Sequence, residues 1–160
     1  MEGEDVTPDI SGLIGQYVHG NEPSHHIIYF YTMLGEPWKA ADRLYEVMAT
    51  MYSNQPDGLS GNEDVGQMSA WYIMTTLGFY PVEPAAGKYV IGVPMVDRAE
   101  IDVEGGEFIV ERRGFSKKNR YIQSVELNGK ALNRNYITHD EIIAGGKLSF
   151  KMGEDKTCWY

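Results

Sequence analysis

The stretch GLSGNEDVGQMSAWY, from Gly58 to Tyr72, sets Asn62, Glu63 and Asp64 side by side just before a run with helical periodicity. A second stretch, Gly20-Asn21-Glu22-Pro23-Ser24-His25-His26, places an amide, a carboxylate and two imidazoles at another helix start. An aspartate in such a place can activate water as a general base, and the positive end of a helix favours its ionised form. Clustered carboxylate, amide and carbonyl oxygens suit calcium, a hard cation. Paired imidazoles beside an acid also suggest zinc. However, His25 and His26 are adjacent and diverge by about 100° on a helix, which is not the i, i+4 spacing of a zinc helix. Each stretch also has a purely structural explanation. Asn21 can cap a helix with Pro23 in its first turn, and Asp64-Val65-Gly66-Gln67 fits a capping box.

Three helices would have to position these residues. The spacing predicts a first helix over about 22–34, stopped by Gly35. A second starts at Glu36-Pro37 and carries Trp38, Ala41, Tyr45, Met48 and Tyr52 at helical spacing, ending near Asn54. The third covers 65–77, stops at Gly78 and is apolar almost all round, which predicts burial on most sides. Short connections make neighbouring helices antiparallel, so the first and third start at the same end. Capping alone does not require two carboxylates at one helix start and a Glu-His-His cluster at its neighbour. Tyr17, Trp38, Trp71 and Tyr72 could stack on a sugar, although aromatic residues more often fill cores.

From about residue 79 the pattern becomes that of strands. Ala99, Ile101 and Val103 alternate with acids before Gly105-Gly106, and Phe108 and Val110 continue on the return strand. Residues 121–127 form another strand, closed by Asn128-Gly129. Gly145-Gly146 precedes a strand over 147–152, in which Leu148, Phe150 and Met152 share a face. The expected class is α+β. A helical segment over 1–78 is followed by a β-region over 79–160, read as an antiparallel sheet or part of a sandwich.

The net charge of -9 lies in the first part. Residues 1–66 hold eleven Asp/Glu against two Lys/Arg, while residues 67–160 hold twelve of each. A nucleic-acid partner is not expected without a basic face. No apolar run reaches the roughly 18 residues of a membrane helix, and no charged-then-apolar signal opens the sequence. Cys158 is the only cysteine, so neither an internal disulfide nor a cysteine zinc site can form.

The two acidic stretches together resemble glycoside hydrolase family 92, whose members are calcium-dependent, inverting exo-α-mannosidases. The resemblance is carried by DISGLIGQYVHGNEPSHH (9–26), PDGLSGNEDVGQMSAWY (56–72), GFYPV (78–82) and NRYIQSVELNG (119–129). It implies the last helices of an (α/α)6 barrel followed by the terminal β-region of a larger enzyme. It makes Asp64 the general base, with Asn62 where some members carry a second aspartate. It assigns sugar contacts to Glu22, His25, His26, Asn62 and Glu63, and calcium ligands to Asn21, Glu22 and Glu63. The family's general acid is an upstream glutamate that no residue here matches. The 160-residue chain alone is therefore expected to be inactive, with a mannose-containing glycan and the missing N-terminal part of the enzyme as partners. Unpartnered helix faces are expected to promote self-association. Family members usually act outside the cytoplasm, which implies a periplasmic or secreted parent enzyme. A different class remains open: a non-catalytic carbohydrate-binding module presenting Trp159, Tyr121 and Tyr136.

Overall fold

The computed structural model describes residues 10–160, so the opening nine residues, including Asp9 of the motif over 9–26, lie outside it. A small hairpin of β1 (Leu13–Ile14) and β2 (Tyr17–Val18) precedes the helical part. The first expected helix is instead three short pieces: 3-10 turns at Glu22–Ser24 and Ile27–Tyr29, then α1 (Phe30–Met33). Its buried residues, His25, Ile28, Tyr29 and Thr32, still recur at i, i+3, i+4 and i+7. The Asn21 side chain makes no capping hydrogen bond, contrary to expectation.

Helix α2 (Pro37–Thr50) begins on proline, which gives up no helical hydrogen bond at that position. It buries Ala40, Ala41, Leu44 and Val47. The buried stripe is thus rotated from the aromatic one read in the sequence, and Trp38, Tyr45, Met48 and Tyr52 flank it half-buried. Helix α3 (Gln67–Leu77) ends on Gly78, whose φ of 90° lies in the left-handed region. A Cβ there would lie 3.0 Å from the Pro94 nitrogen. Only Met68, Trp71 and Thr75 of α3 are buried, while Tyr72 and Ile73 face outward. The expected burial on most sides is corrected: on that second face Tyr72 meets only the Tyr52 ring, 4.8 Å away, and stays largely exposed with Ile73. Ile27, Phe30, Tyr31 and Leu34 are exposed as well, Leu34 at 76%.

Two sheets follow. The smaller has the antiparallel order β3 (Phe79–Glu83), β4 (Lys88–Ile91), β9 (Tyr136–Thr138). The larger runs β5 (Arg98–Val103), β6 (Gly106–Arg113), β10 (Gly146–Gly153), β7 (Tyr121–Leu127), β8 (Lys130–Ala131). A short helix, α4 (His139–Ile143), carries the capping box, with Thr138 and Glu141 as its partners. Strand β10 lies antiparallel to β7 but parallel to β6, so the larger sheet is mixed rather than purely antiparallel. The chain leaves through the smaller sheet and α4, then returns to insert between β6 and β7. Gly146 makes the return possible: a Cβ there would lie 2.2 Å from Asn128 Oδ1, the atom that accepts the Lys147 N–H at 2.7 Å.

One apolar cluster runs from Ile28, Tyr29, Leu44 and Trp71 through Phe79 and Ile91 to Phe108, Leu148 and Phe150. Each large side chain fully buried in it contributes roughly 1.5–3 kcal/mol. Helix α2 packs against β7 within this core, which fixes the helical segment on the β-region. No helix among the described residues is long and apolar enough to cross a membrane.

Candidate functional site

Two loops meet over the N-terminal end of α3. Contact depends on a pair of glycines. A Cβ on Gly61 would lie 2.6 Å from the Gly20 carbonyl oxygen, and one on Gly20 would lie 2.9 Å from the Ser60 carbonyl. Gly61 also has φ +89°, a conformation costly for any residue with a side chain. Beyond it, Asp64 and Val65 take φ values of 40° and 60°. A left-handed β-branched residue is a backbone outlier that costs on the order of 1–3 kcal/mol and tends to occur at functional positions. Val65 is fully exposed, so its side chain gains nothing from burial.

This turn separates the roles of the two acids. Glu63 Oε1 accepts the Ser69 backbone N–H at 3.0 Å and Oε2 accepts the Ser69 hydroxyl at 2.9 Å. Glu63 therefore satisfies the first turn of α3, the task the sequence pattern gave to Asp64. The residue at the α3 N-cap is Gly66, with no side-chain cap. Asp64 is left exposed and reaches the Glu22 carboxyl of the opposite loop. The hydrogen bond with Glu22, followed by a small burial cost and the repulsion of the two charges, holds Asp64 above the usual aspartate range. The expected bias of the helix end toward an ionised Asp64 is thus outweighed. Neither carboxyl has an ion-pair partner among the described residues, and Glu22 Oε1 is buried without a hydrogen-bond partner.

The loops are held from below by His25 and α3. His25 is buried; its Nε2–H donates to the His19 carbonyl at 2.9 Å, and Nδ1 accepts from the Gln67 amide at 3.3 Å. Both ring nitrogens are occupied, and burial lowers the pKa, so the ring is neutral. Gln67 also donates to the Tyr80 hydroxyl at 3.1 Å, and one turn later Trp71 Nε1–H donates to the His25 carbonyl at 3.1 Å. In this arrangement His25 braces the loop from inside. His26 is half-buried, with its ring edge-to-face on Phe30 at 5.1 Å. Asn62 is exposed on the loop of Asp64, and Asn21 is half-buried beside Glu22.

His19 is the residue that sequence reasoning missed. It is wholly buried, 4.4 Å from the Trp71 ring centroid and 5.0 Å from that of His25. Tyr52 donates its hydroxyl to the Met68 carbonyl at 3.3 Å and so accepts from His19 Nε2–H at 2.6 Å. His19 Nδ1 then accepts from the Tyr17 hydroxyl at 2.8 Å. Burial, aided by His25, pushes the His19 pKa down to about 3. The available signal was the histidine directly before Gly20. Trp71, a possible sugar platform in the sequence, is fully buried core.

Among the described residues, no group of three or more His, Cys, Asp or Glu side chains converges to hold a metal. The aromatic residues of the binding-module alternative do not form one platform. Tyr136 lies between Lys88 and Arg134, each 5.0 Å from its ring centroid. The Tyr121 hydroxyl donates to Asp42 at 3.0 Å, and Trp159 packs against the core.

A family model described as the glycosyl hydrolase family 92 catalytic domain matches residues 1–154. The chain belongs to glycosyl hydrolase family 92. A family GH92 alpha-mannosidase from Bacteroides thetaiotaomicron is 42% identical with a TM-score of 0.83, over 90% of this chain and 20% of that one. The same relative in complex with mannoimidazole gives a TM-score of 0.85 over 92% of this chain and 20% of that one. An inverting mannosidase of the family from the same organism is 41% identical with a TM-score of 0.79, over 88% of this chain and 19% of that one. An uncharacterized secreted glycosidase from Arthroderma benhamiae is 31% identical over 88% of this chain and 19% of its own length. The chain therefore spans about a fifth of the relatives it matches. The expected α+β class of this GH92 chain is borne out.

Proposed function

We propose that this GH92 chain forms one wall of the active site of an inverting α-mannosidase, with Asp64 as the general base. The observation that carries this reading is the close approach of the two loops at Gly20 and Gly61, which brings the Asp64 carboxyl near that of Glu22. Glu63 and Gln67 brace that junction, which leaves Asp64 without a structural task. Glu22 is not assigned as the general acid, because the family's acid is an upstream glutamate that no residue here matches and an inverting pair stands roughly 6.5–9.5 Å apart with a water between. The acid must come from outside these residues, so the chain alone does not turn over substrate. The name of the secreted relative supports a parent enzyme that acts outside the cell.

The oxygen donors fit a hard cation in part. Glu22 offers a buried oxygen without a hydrogen-bond partner, with Asn21 and Asp64 beside it. Glu63 is engaged by Ser69 and contributes less. Calcium, when bound there, would supply positive charge beside the two carboxyls and would leave ligand positions for sugar hydroxyls, waters and carbonyls.

The test is a calcium titration of the chain followed by mannoimidazole, read by amide NMR. Shifts centred on residues 20–26 and 60–67, lost in both Glu22→Gln and Asp64→Asn, are expected. Absence of calcium binding at millimolar concentration would overturn the metal assignment. Measurable hydrolysis of an aryl α-mannoside by the isolated chain would overturn the missing-acid assignment.

A further inference from the structure

The stretch GFYPV (78–82) lies outside the two loops, yet one of its side chains reaches them. Strand β3 follows α3 after the single residue Gly78 and packs back along the helix. At about 1.5 Å per residue α3 is about 16 Å long, and two strand residues recover about 7 Å of that. Two long side chains close the remaining gap. Gln67, the first residue of α3, donates its amide to the Tyr80 hydroxyl at 3.1 Å. Tyr80 itself is fixed: its backbone pairs with Val90 of β4, its ring stacks on Tyr29 with centroids 5.2 Å apart, and only 9% of it is exposed. The Tyr29 hydroxyl is in turn bound to the Thr75 hydroxyl on α3 at 2.8 Å.

The Gln67 amide nitrogen has two hydrogens. One goes to Tyr80 and the other to His25 Nδ1 at 3.3 Å. His25 Nε2–H is committed to the His19 carbonyl at 2.9 Å. The next residue is Gly20, whose carbonyl lies against Gly61 of the other loop. Hydrogen bonds thus run from β3 through α3 to the loop of Glu22. The contact with Gly61 closes the circuit on the loop of Asp64, which leads back into Gln67. A flip of the Gln67 amide would set its oxygen against the accepting Nδ1. Its orientation is therefore fixed at His25 and its position at Tyr80.

We propose that Tyr80 is a positioning residue for the candidate site: acting through Gln67 and His25, it sets how the loop of Glu22 stands against Asp64. This rests on the reading of the two loops as one wall of the mannosidase site. It gives the β-region a task in that site, because Tyr80 belongs to the first strand of the smaller sheet.

The experiment is amide hydrogen exchange and calcium titration by NMR on the full chain, on Tyr80→Phe, on Gln67→Met and on the double variant. Phenylalanine keeps the ring on Tyr29 and removes only the hydroxyl; methionine keeps the length of Gln67 without its donors. The Gly20 and His25 amides are bonded to the Ser11 and Glu22 carbonyls at 3.0 Å, and the Gln67 amide to the Asp64 carbonyl at 3.2 Å. In Tyr80→Phe these three should exchange roughly three- to tenfold faster, the factor expected for one hydrogen bond. Amides of β6 and β10 report global opening and should keep the parent rates. In Gln67→Met the loop amides should quicken as well, and Tyr80→Phe should then add nothing. Calcium affinity should fall by a similar factor in Tyr80→Phe. Unchanged loop rates, acceleration spread evenly over loops and strands, or additive effects of the two substitutions would overturn the relay. Unchanged calcium affinity despite faster loop exchange would overturn the positioning role. A parent chain that binds no calcium would overturn the metal assignment above, while the exchange rates would still decide the relay.

Discussion

Replacing His19 with glutamine should remove a large part of the acid sensitivity of the fold. His19 is buried among Trp71, His25, Tyr17 and Tyr52, and burial pushes its pKa down to about 3 from an ordinary 6.5. The unfolded chain takes up a proton on this ring as pH falls below 6.5, while the folded chain does not until about 3. Stability is therefore lost as the pH falls through that window, at about 1.4 kcal/mol per pH unit. Between pH 6.5 and 4.5, His19 alone accounts for a loss of about 2 kcal/mol. His25, also lowered by burial, acts in the same direction. Glu111 and Glu141 titrate below this window because their cationic and hydrogen-bonding partners hold them low. Glutamine keeps a donor and an acceptor for the tyrosine hydroxyls and cannot take up a proton. Urea unfolding followed by tryptophan fluorescence at pH 6.5, 5.5 and 4.5 should give a shallower pH dependence in His19→Gln than in the parent. Parallel curves would refute the assignment of a neutral buried His19.

Gly61→Ala should destabilise the chain by about 1–3 kcal/mol, because its φ is +89° and the new Cβ meets the Gly20 carbonyl at 2.6 Å. Urea unfolding measures this, and calcium binding should weaken with it as the loops part. Truncation after Gly153 should cost about 2 kcal/mol, since it removes the packed Trp159, the Tyr160 hydroxyl bond to the Thr32 carbonyl and the Gln123 bond to the Asp155 carbonyl at 2.9 Å. The midpoint of thermal unfolding reads the loss. The exposed Ile27, Phe30, Tyr31, Leu34 and Ile73 should make the chain self-associate, and sedimentation at rising concentration should show larger species that Leu34→Glu with Ile73→Glu reduces.

Much of the fold was legible because local signals and packing agree. Pro37 opens α2, Gly78 closes α3, and Asn128-Gly129, with φ values of 52° and 75°, turns β7 into β8. The differences arise where a tertiary contact overrides a local pattern. Asp64-Val65-Gly66-Gln67 spells a capping box, but the left-handed turn at Asp64 and Val65 hands the cap to Glu63 and leaves Asp64 beside Glu22. Glu22–Met33 has helical spacing, but its backbone tightens into 3-10 turns where His25 is drawn toward His19 and Trp71. The parallel pairing of β10 with β6 has no local signature, since it depends on where the chain returns after α4. The convergence of the two acidic loops was readable from helix direction. The histidine and tyrosine network beneath them was not, because a buried polar residue looks like any other in sequence.

The claim on which the functional reading rests is that Asp64 and Glu22 share one pocket across the two loops. Carbon-detected NMR titration of the Asp64 carboxyl, in chelator-treated protein, tests it directly. The contact predicts that Asp64 titrates above the ordinary aspartate range and falls back in Glu22→Gln, where the competing carboxyl is gone and an amide can donate to it. An Asp64 that titrates in the ordinary range, or one unmoved by Glu22→Gln, would contradict the account.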